Sequence, residues 1–419
     1  MCGIECVGGN GKEDNRMHVV FATHSYWPHQ DGVQMVNQYL AEGLVRAGHK
    51  VTILTNRLDG YNEHDSHNGV EIYRFIHKLI FKFNFGESRK FKKFLLENEE
   101  DIDVLIVVGA QSFAGEWTMQ ISNKLSCKKI MYMHGMRSEY MDISRIKTVN
   151  HFFKESILTI WFRVYFKRYW HKIMGFDAAI HLFERDNSLI YFKKYGFNNN
   201  FVIKNSCDKT LFEEKKINKD LDRIKEKYEI RNKYFLSVAN YGKNKNQKRA
   251  IKAYYDSETE DISLVFIGSE RNKYFEELER LNFVMGENGK GTHEVKLLYG
   301  VSREDTVNLI KGAYAIVLSS DNEYFPVTIL EGLAAGKPYI STNVGVVPQI
   351  PGGVIAHNDS EFAYWIEYFA KYPQFAEELK KIGKEYALRE LYVEDKIQQL
   401  ENIIKSIGIG GVLNDPSFT

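Results

Sequence analysis

The chain has 419 residues, 44% hydrophobic, 26% charged and a rich 14% aromatic, with a formal net charge of +1. That length suits two domains, the composition excludes a disordered or fibrous chain, and the balanced charge excludes a nucleic-acid binder driven by overall basicity. No apolar run approaches the roughly 20 residues that span a bilayer.

The opening "MCGIECVGGNGKEDNR" lacks the apolar core of a secretory signal, so residues 1–16 are expected to be a disordered tail, with Met17 itself a candidate start. Cys2, Cys6, Cys127 and Cys207 are too few and too scattered for a disulfide framework or a zinc site. A reducing cytoplasm fits that usage.

From Met17 the pattern changes. "HVVFATHSYW" reads as a buried parallel strand. Val33, Val36, Leu40 and Leu44 then share one helical face, Gly48 ends the helix, and "VTILTN" is a second strand. This is a βαβ unit. "DVLIVVGA" (103–110), "KIMYMHG" (129–135), "DAAIHLF" (177–183) and "FVIKN" (201–205) continue the series. The charged stretch 213–233 shows no clear apolar face and is expected as a surface excursion near the domain boundary. A second series follows: "YFLSVAN" (234–240), "ISLVFIGS" (262–269), "EVKLLYG" (294–300), "YAIVLSS" (314–320) and "PYIST" (338–342). Residues 359–406 read as helices and the last dozen residues as a loose tail. The expected architecture is α/β, with two doubly wound Rossmann-like domains facing a central cleft.

The chemistry concentrates in "EYFPVTILEGLAAGKP" (323–338). A helix starting near Pro326 and closed by Gly336 presents free amides and the positive end of its dipole at the end of a strand. That is an anion site able to take a diphosphate. Glu331 suits the paired hydroxyls of a ribose, and Glu323 those of a sugar. Taken singly, each is as well read as a solvated glutamate. His134 alone is as well a packed strand-end histidine, and Lys245 a solvated lysine. "DID" (101–103) lies in an acidic run and reads as a solvated loop, and no His/Asp cluster marks a metal. No Gly-x-Gly-x-x-Gly opens a strand–helix turn, which argues against a dinucleotide enzyme.

The segment Glu323, Phe325, Glu331, Gly336, Pro338 resembles the signature of the retaining glycosyltransferases of family 4, which have the GT-B fold. "GVQMVNQYLAEGLVRAGHKVTILT", "MHG" (133–135), "VIKNSCDKTLF" and "SVANYGKNKNQ" resemble that family's first glycine loop, its His-Gly, its hinge segment and its phosphate segment. The resemblance covers most of the chain. It implies a disordered tail (1–16), an acceptor-side domain (17–205), a nucleotide-sugar domain (206–387), a helix packing back on the first domain (388–407) and a tail (408–419). It implies Glu323, His134 and Lys245 at the reacting centre. Glu331, Lys245, Asn240, Gly32, Phe325, Val327 and Thr328 would hold the donor, with no metal or other cofactor required. A UDP-sugar is the expected donor, GDP- and ADP-sugars the alternatives, and a glycan or lipid-linked hydroxyl the acceptor, in polysaccharide, glycolipid or cell-envelope glycan synthesis; no nucleic-acid partner is implied.

The departures are specific. The family's Arg falls on Asn240, with Lys243 and Arg249 as candidate substitutes; Asp31-Gly32 stands for Gly-Gly; Ser206 follows Asn205; and Pro326 stands where Gly is common. Residues 150–172 interleave aromatics with Lys and Arg. They are a candidate for peripheral membrane contact at the inner face, against a buried helix whose basic side chains snorkel. The rival functions are a nucleotide-sugar epimerase or a phosphorylase of similar fold, and a non-catalytic nucleotide-sugar-binding protein.

Overall fold

The computed structural model describes residues 16–28, 32–81, 83–140, 149–207, 209–213, 217–259, 261–288 and 293–408. Residues 1–15 and 409–419 of the expected tails, with Cys2 and Cys6, and Asp31 of the first loop lie outside the described residues.

The first half runs β1 (His18–Ala22), α1 (Gly32–Arg46), β2 (Lys50–Asn56), β3 (His64–His67), β4 (Val70–Phe75), β5 (His77–Ile80), β6 (Phe83–Gly86), α2 (Ser88–Glu97), β7 (Val104–Val108), α3 (Phe113–Met119), β8 (Lys128–Tyr132), α4 (Val149–Ile173), β9 (Ala178–His181), α5 (Asn187–Lys194) and β10 (Asn200–Val202). Eight strands order as β10-β9-β8-β7-β1-β2-β4-β3. All neighbours are parallel except β3 against β4. β7 is buried at every position, which is why its sequence is an unbroken apolar run rather than an alternation.

The second half runs α6 (Ile217–Lys227), β11 (Lys233–Val238), α7 (Gln247–Asp256), β12 (Ile262–Gly268), α8 (Lys273–Asn288), β13 (Val295–Tyr299), α9 (Arg303–Gly312), β14 (Ala315–Leu318), α10 (Val327–Ala334), β15 (Tyr339–Thr342), β16 (Gly353–Ala356), α11 (Asp359–Lys371), α12 (Pro373–Glu390) and α13 (Val393–Ser406). Its six parallel strands order as β13-β12-β11-β14-β15-β16. Strand order reverses at β1/β7 in the first sheet and at β11/β14 in the second. Ligands of doubly wound sheets sit beyond the carboxyl ends of the strands at such points.

The last helix returns to the first sheet. Gly43 on α1 gives way to Ile397 on α13, whose Cδ1 lies 2.0 Å from where a Cβ would stand. Nearby, His49 Nε2 pairs with Glu401 Oε1 at 2.8 Å.

Several parts differ from the sequence reading, which names no strand at β3, β4 or β16 although these complete the two sheets. Residues 217–227 form helix α6 rather than a bare excursion: Ile224 is buried, and the Leu221 side chain approaches Gly312 of α9 so closely that no Cβ fits there. β5 and β6 form a separate two-stranded hairpin that the sequence reading did not anticipate.

At the end of β9, His181 is fully buried, Nδ1 2.7 Å from Ser188 Oγ and Nε2 2.8 Å from Asn200 Oδ1. Burial pushes its pKa down from 6.5 to about 4. The unfolded chain binds this proton near pH 6.5, the folded chain only near pH 4. The stability conferred by the neutral ring is therefore complete above pH 6.5 and drains away between pH 6.5 and 4. Urea denaturation is expected to show about 2 kcal/mol lost at pH 5 relative to pH 7 from this group, and the loss should be absent in His181→Asn.

Candidate active site

Three loops and two helix ends converge between the sheets. The loop after β11 carries Asn240 and Lys245, the loop after β14 carries Glu323 to Pro326, and the end of β8 carries His134 and Gly135. Helices α1 and α10 point their amino ends at each other. A Cβ on Gly32, the first residue of α1, would lie 3.6 Å from Val327 Cγ2, the first residue of α10. Two helix amino ends thus meet at one space, and their dipoles favour an anion there. The space is a cavity of about 430 Å³.

All nine residues singled out in the sequence line this cavity: Gly32, His134, Asn240, Lys245, Glu323, Phe325, Val327, Thr328 and Glu331. Lys245 Nζ donates to Glu323 Oε1 at 2.7 Å, and Ser320 Oγ donates to the same oxygen at 2.7 Å. A cation and a carboxylate are therefore adjacent in the cavity. Glu331 is buried, and its Oε1 accepts from Arg303 at 2.5 Å. The His134 ring lies 4.3 Å, centroid to centroid, from that of Tyr132.

Some of these residues contribute otherwise than their side-chain chemistry suggests. Thr328 Oγ1 donates to Val238 O at 2.8 Å, which fastens α10 to β11. Phe325 is buried against Phe183 of the first half at 6.2 Å, and its carbonyl accepts from Asn205 Nδ2 at 3.1 Å. It therefore joins the two halves. Gly135 has φ +104, and a Cβ there would meet the Tyr324 ring at 2.4 Å, so glycine is what lets this loop approach the Glu323 loop.

Asn240 stands at the position where the family resemblance implies an arginine, and neither Arg249 nor Lys243 fills that place. Arg249 donates to Asp359 Oδ1 (2.6 Å), Asp321 Oδ1 (3.0 Å) and Ser319 O (3.0 Å), and neither it nor Lys243 lines the cavity. The lining cation that sequence reasoning missed is Arg303, at the start of α9. Besides Glu331, it donates to the Tyr39 hydroxyl of α1 at 2.9 Å and so spans the two halves. Its local signal is the Ser302 cap, whose Oγ accepts from Asp305 N at 3.1 Å and fixes where α9 begins.

Residues 30–178 match the family model described as glycosyltransferase family 4, and residues 218–395 match that of glycosyl transferases group 1. The chain belongs to the group 1, family 4 glycosyltransferases. No curated protein matches it in sequence. Among solved structures, this glycosyltransferase is similar in fold to a glycosyltransferase from Rickettsia africae (16% identity, 94% of this chain and 99% of that one, TM-score 0.70). It is also similar to sucrose-phosphate synthase from Thermosynechococcus elongatus (14% identity, 94% and 99%, TM-score 0.69). A third is Anabaena HepE, solved in complex with UDP-glucose (14% identity, 93% and 100%, TM-score 0.68). The architecture is the GT-B fold expected of the family.

The 150–172 stretch lies within α4. Phe162 and Phe166 face the core, while Phe153, Ile157, Ile160 and Val164 are exposed. The helix is therefore buried on one face and exposes apolar side chains on the other. Among the described residues, no helix is long and apolar enough to cross a membrane.

Proposed function

We propose that this glycosyltransferase moves a sugar from a nucleotide-diphosphate sugar to an acceptor hydroxyl with retention of the anomeric configuration. One observation carries the reading: two cation–carboxylate pairs, Lys245–Glu323 and Arg303–Glu331, flank the amino end of α10 in one cavity. The spacing suits a donor laid along the cavity. The ribose hydroxyls would donate to Glu331, the diphosphate would lie at the α10 amides and Lys245, and the sugar hydroxyls would meet Glu323. The domain of residues 206–387 then holds the donor, and that of 17–205, with His134, faces the reacting carbon and the acceptor. A UDP-sugar leads the candidates because HepE, similar in fold, was solved with UDP-glucose.

In the transfer, the bond from the anomeric carbon to the diphosphate breaks and a bond to the acceptor oxygen forms on the same face. The acceptor proton passes to the leaving phosphate oxygen, and a nucleoside diphosphate departs. Lys245 and the amides meet charge as it grows on that oxygen, where preorganised donors are most effective. The acceptor is a glycan or lipid-linked hydroxyl in polysaccharide, glycolipid or envelope-glycan synthesis at the cytoplasmic side. The support for that pathway is analogy of fold.

A thermal-shift screen against UDP-, GDP- and ADP-sugars is expected to single out one nucleotide, since a ligand stabilises the state it binds. Transfer to an acceptor panel, read by proton NMR at the anomeric centre, is expected to give the configuration of the donor. An inverted product would overturn retention, and conversion of the donor to its epimer without acceptor would replace transfer by epimerisation.

A further inference from the structure

The hairpin β5–β6 pairs with neither main sheet. A lone hairpin is marginal in water unless packed on something, and this one is packed on α3. The His77 ring stacks on Phe113 at 4.5 Å, and Asn84 Nδ2 donates to Glu116 Oε2 at 2.6 Å. The other oxygen of Glu116 accepts from Tyr169 of α4 at 3.1 Å. Helix α3 and the Glu116 carboxylate thus hold the hairpin and α4 side by side.

What these two elements show to solvent is unusual. Leu79, Ile80, Phe83 and Phe85 are exposed on the hairpin, and Phe81 at its turn is 91% exposed. Along α4, Phe153, Ile157, Ile160 and Val164 recur at helical spacing on the solvent side, opposite the buried Phe162 and Phe166. Scattered exposed apolar residues need no explanation, but five on one hairpin and four at helical spacing on the neighbouring helix do. The charges beside them are of one sign. Lys154, Arg163, Lys167 and Arg168 are exposed on α4, and Lys78 on the hairpin. The one carboxylate in the α4 sequence, Glu155, is buried and paired with Arg137.

We propose that the β5–β6 hairpin and the outer face of α4 together form a membrane-docking surface for an anionic bilayer, with the hairpin tip entering the headgroup region. Aromatic and aliphatic side chains beside Lys and Arg are what an anionic interface recognises. A second copy of the chain fits worse: a two-fold contact would set this basic face against itself. Helix α4 also neighbours the cleft: Arg137 follows His134 by three residues and reaches Glu155 and Thr159 on the buried side of the helix, opposite the outer face. The docking itself does not depend on the donor chemistry proposed above.

The test is co-sedimentation of the full chain with vesicles of phosphatidylglycerol and phosphatidylcholine in equal parts, and of phosphatidylcholine alone. The wild type should bind the mixed vesicles, and binding should fall about tenfold or more on phosphatidylcholine alone or at high salt. Phe81→Ser with Phe83→Ser should weaken binding about tenfold while leaving the melting temperature unchanged, because both side chains are solvent-exposed. Lys167→Glu with Arg168→Glu should erase the preference for the anionic vesicles. A wild type that stays in the supernatant with both vesicles overturns the proposal, as does a hairpin variant that binds like the wild type. Light scattering that shows a wild-type dimer abolished by the hairpin variant, without vesicle binding, would make this face a self-association surface instead.

Discussion

Lys245→Ala is expected to lower kcat/KM for the donor by about 10²–10³, the usual effect of deleting one preorganised donor aimed at developing charge. The sign follows from position. Lys245 Nζ is 2.7 Å from Glu323 Oε1 and lines the cavity beside the amino end of α10, where the leaving diphosphate would gain charge. The size follows from scarcity on this side of the site. Asn240 supplies no charge, and Arg249 is committed to Asp359 and Asp321. Folding should hardly register the change. The Lys245 side chain is 27% exposed, and partly exposed ion pairs contribute about 0–1 kcal/mol. The melting temperature should therefore move by no more than about 4 °C. Lys245→Arg is not expected to restore activity fully, since a planar guanidinium places its charge differently from a compact ammonium. Steady-state rates of donor consumption, together with a thermal melt, check both halves. A folded Lys245→Ala enzyme within threefold of wild type would remove Lys245 from the reacting centre.

What the sequence disclosed about this site, and what it withheld, divides by the range of the interactions. Glu323 to Pro338 is legible because strand end, loop, helix start and helix stop are neighbours in the chain, so local rules place Glu323 just before α10 and Glu331 on it. The two sheets are legible for the same reason: buried parallel strands are continuous apolar runs with helices between them. Arg303 is not legible. It reaches Glu331 from the start of another helix and Tyr39 from another domain, and nothing in "YGVSRED" announces either partner. Helix α6 is obscured because its apolar positions, Leu221 and Ile224 among them, are sparse in a charged stretch. Their burial is created by α9, with Gly312 clearing the space. The hairpin is hidden by its own composition, since "HKLIFKFNFG" looks like strand but pairs with neither sheet.

Glu331→Gln is expected to raise the donor KM by about 10–100-fold with kcat within a few-fold, because a ribose contact remote from the breaking bond is made equally in ground and transition states. Gln keeps the shape and one acceptor but loses the charge that holds Arg303. The reciprocal change separates binding from architecture. The Glu331 side chain is 4% exposed, whereas Arg303 is 30% exposed. Arg303→Ala strands the buried carboxylate, while Glu331→Gln leaves a guanidinium that can hydrate and still holds the Tyr39 hydroxyl. Breaking a buried pair from one side costs about 3–5 kcal/mol, and the exposure of Arg303 to the cavity discounts this to about 2 kcal/mol. Arg303→Ala should therefore melt some 4–8 °C lower, the larger stability loss of the two variants. The donor should give back part of that loss, since its hydroxyls would donate to the orphaned Glu331, so donor-induced stabilisation should be larger in Arg303→Ala than in wild type. Calorimetric melts with and without nucleotide sugar read this directly. An unchanged donor KM in Glu331→Gln, or equal donor stabilisation in wild type and Arg303→Ala, would place the ribose away from the α10 helix and reduce the Arg303–Glu331 pair to a brace between the domains.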